Sequence, residues 1–66
     1  MKEPLYAKVL IGVNQYYPIA KIHFETRQVT VKERENVFNT VSLKDVEFDY
    51  SGFSEEEKKR FNSYFH

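Results

Sequence analysis

Sixty-six residues, 7.9 kDa in mass, supply one domain spanning 1–66 and no second. Ten Lys and Arg balance ten Asp and Glu, and 41% of residues are hydrophobic, which is the composition of a folded chain rather than a disordered one. The absence of cysteine excludes a disulfide scaffold and thiol chemistry, and two histidines are too few for a zinc-stapled fold.

Eleven aromatics (six Phe, five Tyr) stand out in so short a chain, because large rings fill a small interior efficiently. A domain of this size buries only about 60% of the surface its unfolded chain exposes, so each ring matters. The longest apolar run, Val9-Leu10-Ile11, is far below a membrane span, and the N-terminus lacks the basic-then-apolar layout of a secretory leader. The expected setting is the cytoplasm, with no membrane association.

The first fifty residues read as strands. Leu5, Ala7, Val9, Ile11 and Val13 alternate on one face, with Tyr6, Lys8, Leu10 and Gly12 on the other. Leu10 interrupts the polar face, which predicts a strand covered on both sides. Asn14 to Pro18 (NQYYP) reads as a loop. A second strand follows with Ala20, Ile22 and Phe24 inward and Lys21, His23 and Glu25 outward, leading through Thr26-Arg27-Gln28 into a hairpin.

The third strand places Val29 and Val31 inward and Thr30, Lys32 and Arg34 outward. Glu35-Asn36 is a two-residue turn into a fourth strand, where Val37, Asn39, Val41 and Leu43 share a face. The apolar phase then slips, since Leu43 to Val46 is an odd step before Val46, Phe48 and Tyr50 alternate again. A bulge or tight turn at Lys44-Asp45 is required. Five short antiparallel strands over about 5–50 make a mainly β (α+β) fold, a curled meander or a small SH3-like barrel.

Residues 54–65 carry the pattern of one C-terminal α-helix. Ser54 with Glu57 forms a capping box, Phe53 stands where a hydrophobic staple begins, and Glu55–Glu57 precede Lys58–Arg60 in the order the helix dipole favours. Glu55 with Lys59 and Glu56 with Arg60 have the favourable i,i+4 order. Phe61, Tyr64 and Phe65 form an i, i+3, i+4 stripe, and so short a helix must dock that stripe. The expected seat is near Tyr6 and Leu10.

No phosphate loop, nucleophile elbow, HExxH or CxxC occurs, and Gly12 and Gly52 are isolated. His23 stands at an outward position without a spacing that marks a nucleophile or orienting group, so no catalytic residue, cofactor or metal ligand is assigned and the chain is not expected to be an enzyme. Charge is segregated instead. Residues 1–36 carry a net +2, residues 37–57 a net −5, and Lys58, Lys59 and Arg60 restore balance.

Asp45, Glu47 and Asp49 recur at period two and are expected in a row on one strand face. That row either pairs with the basic strands or meets a basic partner. Tyr16 and Tyr17 in their loop, and Phe38 outward beside a turn, add candidate aromatic anchors for a protein partner. Phe38 has a second possible place, under the helix with Phe61 and Phe65. The leading expectation is a protein–protein interaction module or small modulator binding through Tyr16, Tyr17, Phe38, Asp45, Glu47 and Asp49. A homodimer through an edge strand is a further expectation. The alternative is a nucleic-acid-binding barrel using Lys8, Lys21, Arg27, Lys32 and Arg34, against which zero net charge counts.

Overall fold

The structure is a computed structural model that describes residues 2–12 and 14–65. Five antiparallel strands, β1 (Tyr6–Val9), β2 (Gln15–His23), β3 (Gln28–Arg34), β4 (Val37–Ser42) and β5 (Val46–Phe48), form one open sheet in the order β4-β3-β2-β1-β5. A single helix, α1 (Glu55–Asn62), follows, and a 3-10 turn over Ser63–Phe65 extends it. The fold is therefore mainly β with one C-terminal helix.

β2 belongs to two ladders. Its first half, Gln15–Pro18, pairs with β1, and its second half pairs with β3, with Ile19 opposite Val31 and Lys21 opposite Thr30. Ala20 is thus an extra residue, a bulge that bends the strand and shifts its side-chain phase by one. Tyr17 and Ile19 before it and Ile22 after it all pack on the core, while Ala20 is exposed. This corrects the expected Ala20, Ile22, Phe24 face. It also corrects the NQYYP loop, since Gln15 to Pro18 are strand, with Pro18 opposite Tyr6.

β1 is shorter than the sequence pattern implies. Among the described residues of the alternating set, Ala7 and Val9 are buried, whereas Leu5 is 74% and Ile11 62% exposed. The ladders with β2 and β5 end at Val9, and the chain turns through Gly12 and Asn14, both at positive φ. Ile11 consequently rides on the turn, and Leu10 is exposed rather than covered. The expected inward place of Val13 lies outside the described residues.

The remaining strands follow the pattern. Val29 and Val31 are fully buried, and Glu35-Asn36 is the turn between β3 and β4, with Asn36 taking the left-handed conformation that asparagine tolerates. Glu33 bulges where the register shifts between Lys32 and Arg34. The phase slip is a 3-10 turn at Leu43–Asp45, closed by the Val46 N–H donating to the Leu43 carbonyl, and it delivers Val46 to the interior. Ala7, Val9, Val29, Val31 and Val46 form the sheet's core, edged by Tyr17, Ile19, Ile22, Val41, Leu43 and Phe48.

At the start of α1 the Ser54 hydroxyl accepts from the Glu57 N–H (3.1 Å), and the Glu57 carboxylate accepts from the Ser54 N–H (2.9 Å). That backbone bond holds the Glu57 carboxyl below the ordinary range, with smaller help from nearby Lys2 against a little desolvation. The staple is not made. The residue four into the helix is Lys58, whose ammonium lies over the Tyr50 ring (5.1 Å), and Phe53 packs edge-on against Tyr50 (5.3 Å) beneath the Lys2 ammonium (4.9 Å). Of the two i,i+4 pairs, Glu56 and Arg60 meet at 3.0 Å.

The helix stripe docks elsewhere than near Tyr6 and Leu10. Phe61 is fully buried, edge-on to Phe48 (5.2 Å), Phe65 (5.1 Å), Phe24 (6.1 Å) and Tyr50 (6.2 Å). Alternation explains the seat. Phe48 stands opposite Ala7 on the inner face, whereas Tyr6 points to the outer one, and the short connection Asp49–Ser54 keeps α1 beside β5. Phe24, in the β2–β3 turn, completes the cluster by stacking on Phe65 (5.4 Å).

Phe61→Ala is expected to cost about 3–5 kcal/mol, as truncating a buried phenylalanine does elsewhere, and to leave a domain this small largely unfolded in water. Phe38→Ala, at a 55% exposed site, is expected to move stability by less than about 0.5 kcal/mol. Urea melts followed by circular dichroism measure both, and equal destabilisation by the two would refute the seat assigned to Phe61.

A candidate interaction groove at the open edge

The residues picked out by the sequence fall into three places. On the outer face of β5, β1 and β2, Glu47, Lys8 and Tyr16 stand in one row, since Lys8 is opposite both Glu47 and Tyr16. The Lys8 ammonium lies 6.0 Å from the centre of the half-exposed Tyr16 ring. Tyr17, the next residue, points the other way into the core margin. The two tyrosines therefore do not form one anchor, because adjacent strand residues face opposite sides.

The expected acidic row is dispersed. Asp45 closes the 3-10 turn, and its carbonyl accepts from the Leu10 N–H (2.8 Å). Glu47 alone of the three projects from β5. Asp49 lies past the strand end, where its carboxylate accepts from the Ser51 hydroxyl (2.6 Å) and the Ser51 N–H (3.0 Å). Those bonds, the hydroxyl first, hold its carboxyl below the ordinary range. They fold the chain into the turn at Gly52, whose φ of 82° suits glycine.

The basic set is divided as well. Lys21 and Lys32 share the outer face of β2, β3 and β4 with Phe38, which stands opposite Lys32. Phe38 is open to solvent there, not under the helix. Lys32 meets Glu35 at 3.3 Å, and Arg34 ends β3. His23 is on the same face, bonded through Nε2 to the Thr30 hydroxyl (2.9 Å), which in turn bonds Thr40 (2.7 Å). A small depression of about 390 Å³ lies beside it, lined by Lys21, Phe24 and Glu25 among others.

Arg27 is the outlier, and it leads to a second, roomier concavity than the one beside His23. It sits in the β2–β3 turn at positive φ, and its carbonyl accepts from the Leu43 N–H (3.0 Å), which ties that turn to the 3-10 turn. Between these turns, β5 and the end of the helix lies a groove of about 630 Å³. Phe48, Tyr50 and Phe65 supply its aromatic lining, Leu43 and Val46 its aliphatic lining, and Arg27, Lys44 and Glu47 its charged lining. Phe48 and Phe65 stack nearly parallel at 6.3 Å, and the Tyr50 hydroxyl donates to the Asn62 side-chain oxygen (2.7 Å), fastening β5's continuation to α1. Partial burial pushes the Tyr50 phenol above its ordinary pKa.

Sequence reasoning had Phe48, Tyr50 and Phe65 as interior residues and Arg27 as a nucleic-acid contact. The hairpin at Glu35-Asn36 already brings Arg27 beside Leu43, but no local pattern shows that β5 and the end of the helix converge on the same place, and that convergence creates the groove. Among the described residues, no cluster of three or more His, Cys, Asp or Glu has the arrangement of a metal site, and no helix is long and apolar enough to cross a membrane. Comparison with protein-family models, with curated proteins and with solved structures finds no match to this chain.

Proposed function

We propose that the chain is a non-enzymatic protein-interaction module and that the groove beside β5 is its principal binding surface. The observation carrying this reading is a concavity of about 630 Å³ in a 66-residue chain, floored by Phe48, Tyr50 and Phe65 and bordered by Arg27 and Lys44. Aromatic floors with arginine at the margin are the composition of energetically dominant contacts at protein interfaces. The half-exposed Tyr16 with Lys8, and Phe38 with Lys32, offer secondary contacts on the outer face.

In this reading the architecture is that of an SH3-like barrel left open. It rests on one long strand shared by two ladders, a 3-10 turn before β5, and the return of β5 beside β1. The fold by itself carries no function. Self-association fits the free edge of β4, six residues long with Phe38 exposed beside it, since an unpaired edge is a template for a second copy. A homodimer is the expected species by sedimentation at high concentration, and a mass of 7.9 kDa there would refute it.

The second reading, nucleic-acid binding, is supported by Lys21, Lys32 and Phe38 on one face. If it holds, a labelled single-stranded oligonucleotide binds with an affinity that falls steeply with salt, and Lys21→Glu with Lys32→Glu abolishes binding. No saturable binding at low salt eliminates it.

The groove reading is tested by placing a photo-crosslinking amino acid at Lys44, and in a parallel chain at Lys59 on the exposed side of α1, in the cells that make the protein. A discrete protein adduct from position 44, not seen from position 59, is the expected result. No adduct at 44, or the same adducts from both positions, would overturn it.

A further inference from the structure

β5 borders the groove, and its ladder with β1 determines which of its backbone groups are in use. The Leu10 N–H donates to the Asp45 carbonyl (2.8 Å), the Asp49 N–H donates to the Tyr6 carbonyl (3.0 Å), and Lys8 lies opposite Glu47 between them. In an antiparallel ladder, residues whose groups face the neighbour alternate with residues whose groups face away. Asp45, Glu47 and Asp49 therefore direct theirs at β1, and Val46 and Phe48 present theirs to the opposite side. The Val46 N–H closes the 3-10 turn onto the Leu43 carbonyl. The Val46 carbonyl and both backbone groups of Phe48 remain on an edge that no strand covers among the described residues.

These groups have the spacing that an added strand uses, and such additions combine main-chain hydrogen bonds with pockets for alternate side chains. Val46 and Phe48 also line the groove, so a segment on this edge runs along its mouth with every second side chain over Phe48, Phe65 and Leu43. The charged lining then selects the occupant. Ion pairs among the described residues join Lys2 to Glu57, Lys32 to Glu35 and Arg60 to Glu56, and none engages Arg27 or Lys44. Glu47, the groove's carboxylate, lies on the outer face opposite Lys8. A second copy supplies the wrong edge, because β4 (VFNTVS) carries no carboxylate and β5 (VEF) a single one.

We infer that the groove takes an extended acidic peptide segment, which adds to β5 as a sixth strand, places an apolar side chain over Phe48 and Phe65, and sets carboxylates against Arg27 and Lys44. This rests on the interaction-module reading and specifies the partner's chemistry.

The test selects binders to the intact chain from a displayed library of random linear peptides, then measures amide hydrogen exchange and affinity for the selected sequences. Expected are sequences rich in Asp and Glu alternating with apolar residues, and slowed exchange at the Phe48 amide in the complex. Charge reversal by Arg27→Glu with Lys44→Glu should weaken binding about tenfold, as expected for two exposed charge pairs turned repulsive, with circular dichroism confirming that the variant is folded. Binders without acidic enrichment, or that leave Phe48 exchange unchanged, overturn strand addition. If those binders protect the surface around Tyr16 or Phe38 instead, the interaction-module reading survives. A library that yields no binder refutes both.

Discussion

The burial of Phe61 is the constraint on which the rest of the molecule depends. The sheet's own core is built from small side chains, one alanine and four valines, and cannot alone repay the ordering of a chain this short. The helix is equally dependent, because eight residues do not hold a helix in water even with both capping-box bonds in place. Phe61 joins the two deficits. It reaches Phe24 in the β2–β3 turn and Phe48 and Tyr50 around β5, parts of the chain that the ladders leave on different strands, and its mostly edge-on contacts are the arrangement in which aromatic quadrupoles attract. The same cluster shapes the groove, since Phe48 and Phe65, both packed on Phe61, also line it.

Curvature is the second requirement, and it comes from one residue. With Ala20 inserted, β2 serves β1 over its first half and β3 over its second, so the sheet bends across its middle strand, while the bond from Leu43 to Arg27 extends the β3–β4 ladder one step past Gln28 and Ser42. The sheet stays open between β4 and β5. The β5 edge discourages indiscriminate pairing, being three residues long with a 3-10 turn abutting it. A short edge inside an aromatic groove is selective where a long bare one is adhesive.

Much of this architecture is legible in the residues because strand alternation is a strict code. Val29 and Val31, the Glu35-Asn36 turn, the slip at Lys44-Asp45 and the Ser54–Glu57 box are each set by neighbours within a few positions, and each is found where the pattern puts it. The failures share a cause. Ala20 as a bulge, and Leu5 and Ile11 in solvent, depend on where partner strands stop, which no local window contains. Tyr16 and Tyr17 read as loop residues because Pro18 suits the entry to a strand, although its missing N–H costs as little inside β2, opposite Tyr6. The groove was least visible of all, being made where residues 27, 43–48 and 62–65 converge.

The zero net charge conceals what the surface offers. Many of the charges are engaged nearby: Glu57 in the cap, Asp49 on Ser51, Lys32 with Glu35, Arg60 with Glu56. Most of the twenty charges lie outside those contacts, and their positions matter more than their sum. Lys8 sits between a carboxylate and a ring on the outer face, while Arg27 and Lys44 stand at a groove with low-dielectric aromatic walls. Arg27 and Lys44 are the cations that a chain entering the groove meets, whereas Lys58 lies over the Tyr50 ring, Arg60 is held by Glu56 and Lys59 stands on the exposed side of α1. A neutral protein can therefore discriminate partners by charge, provided that its unpaired ions border the place where backbone groups are also unpaired, and β5 is where those two conditions coincide.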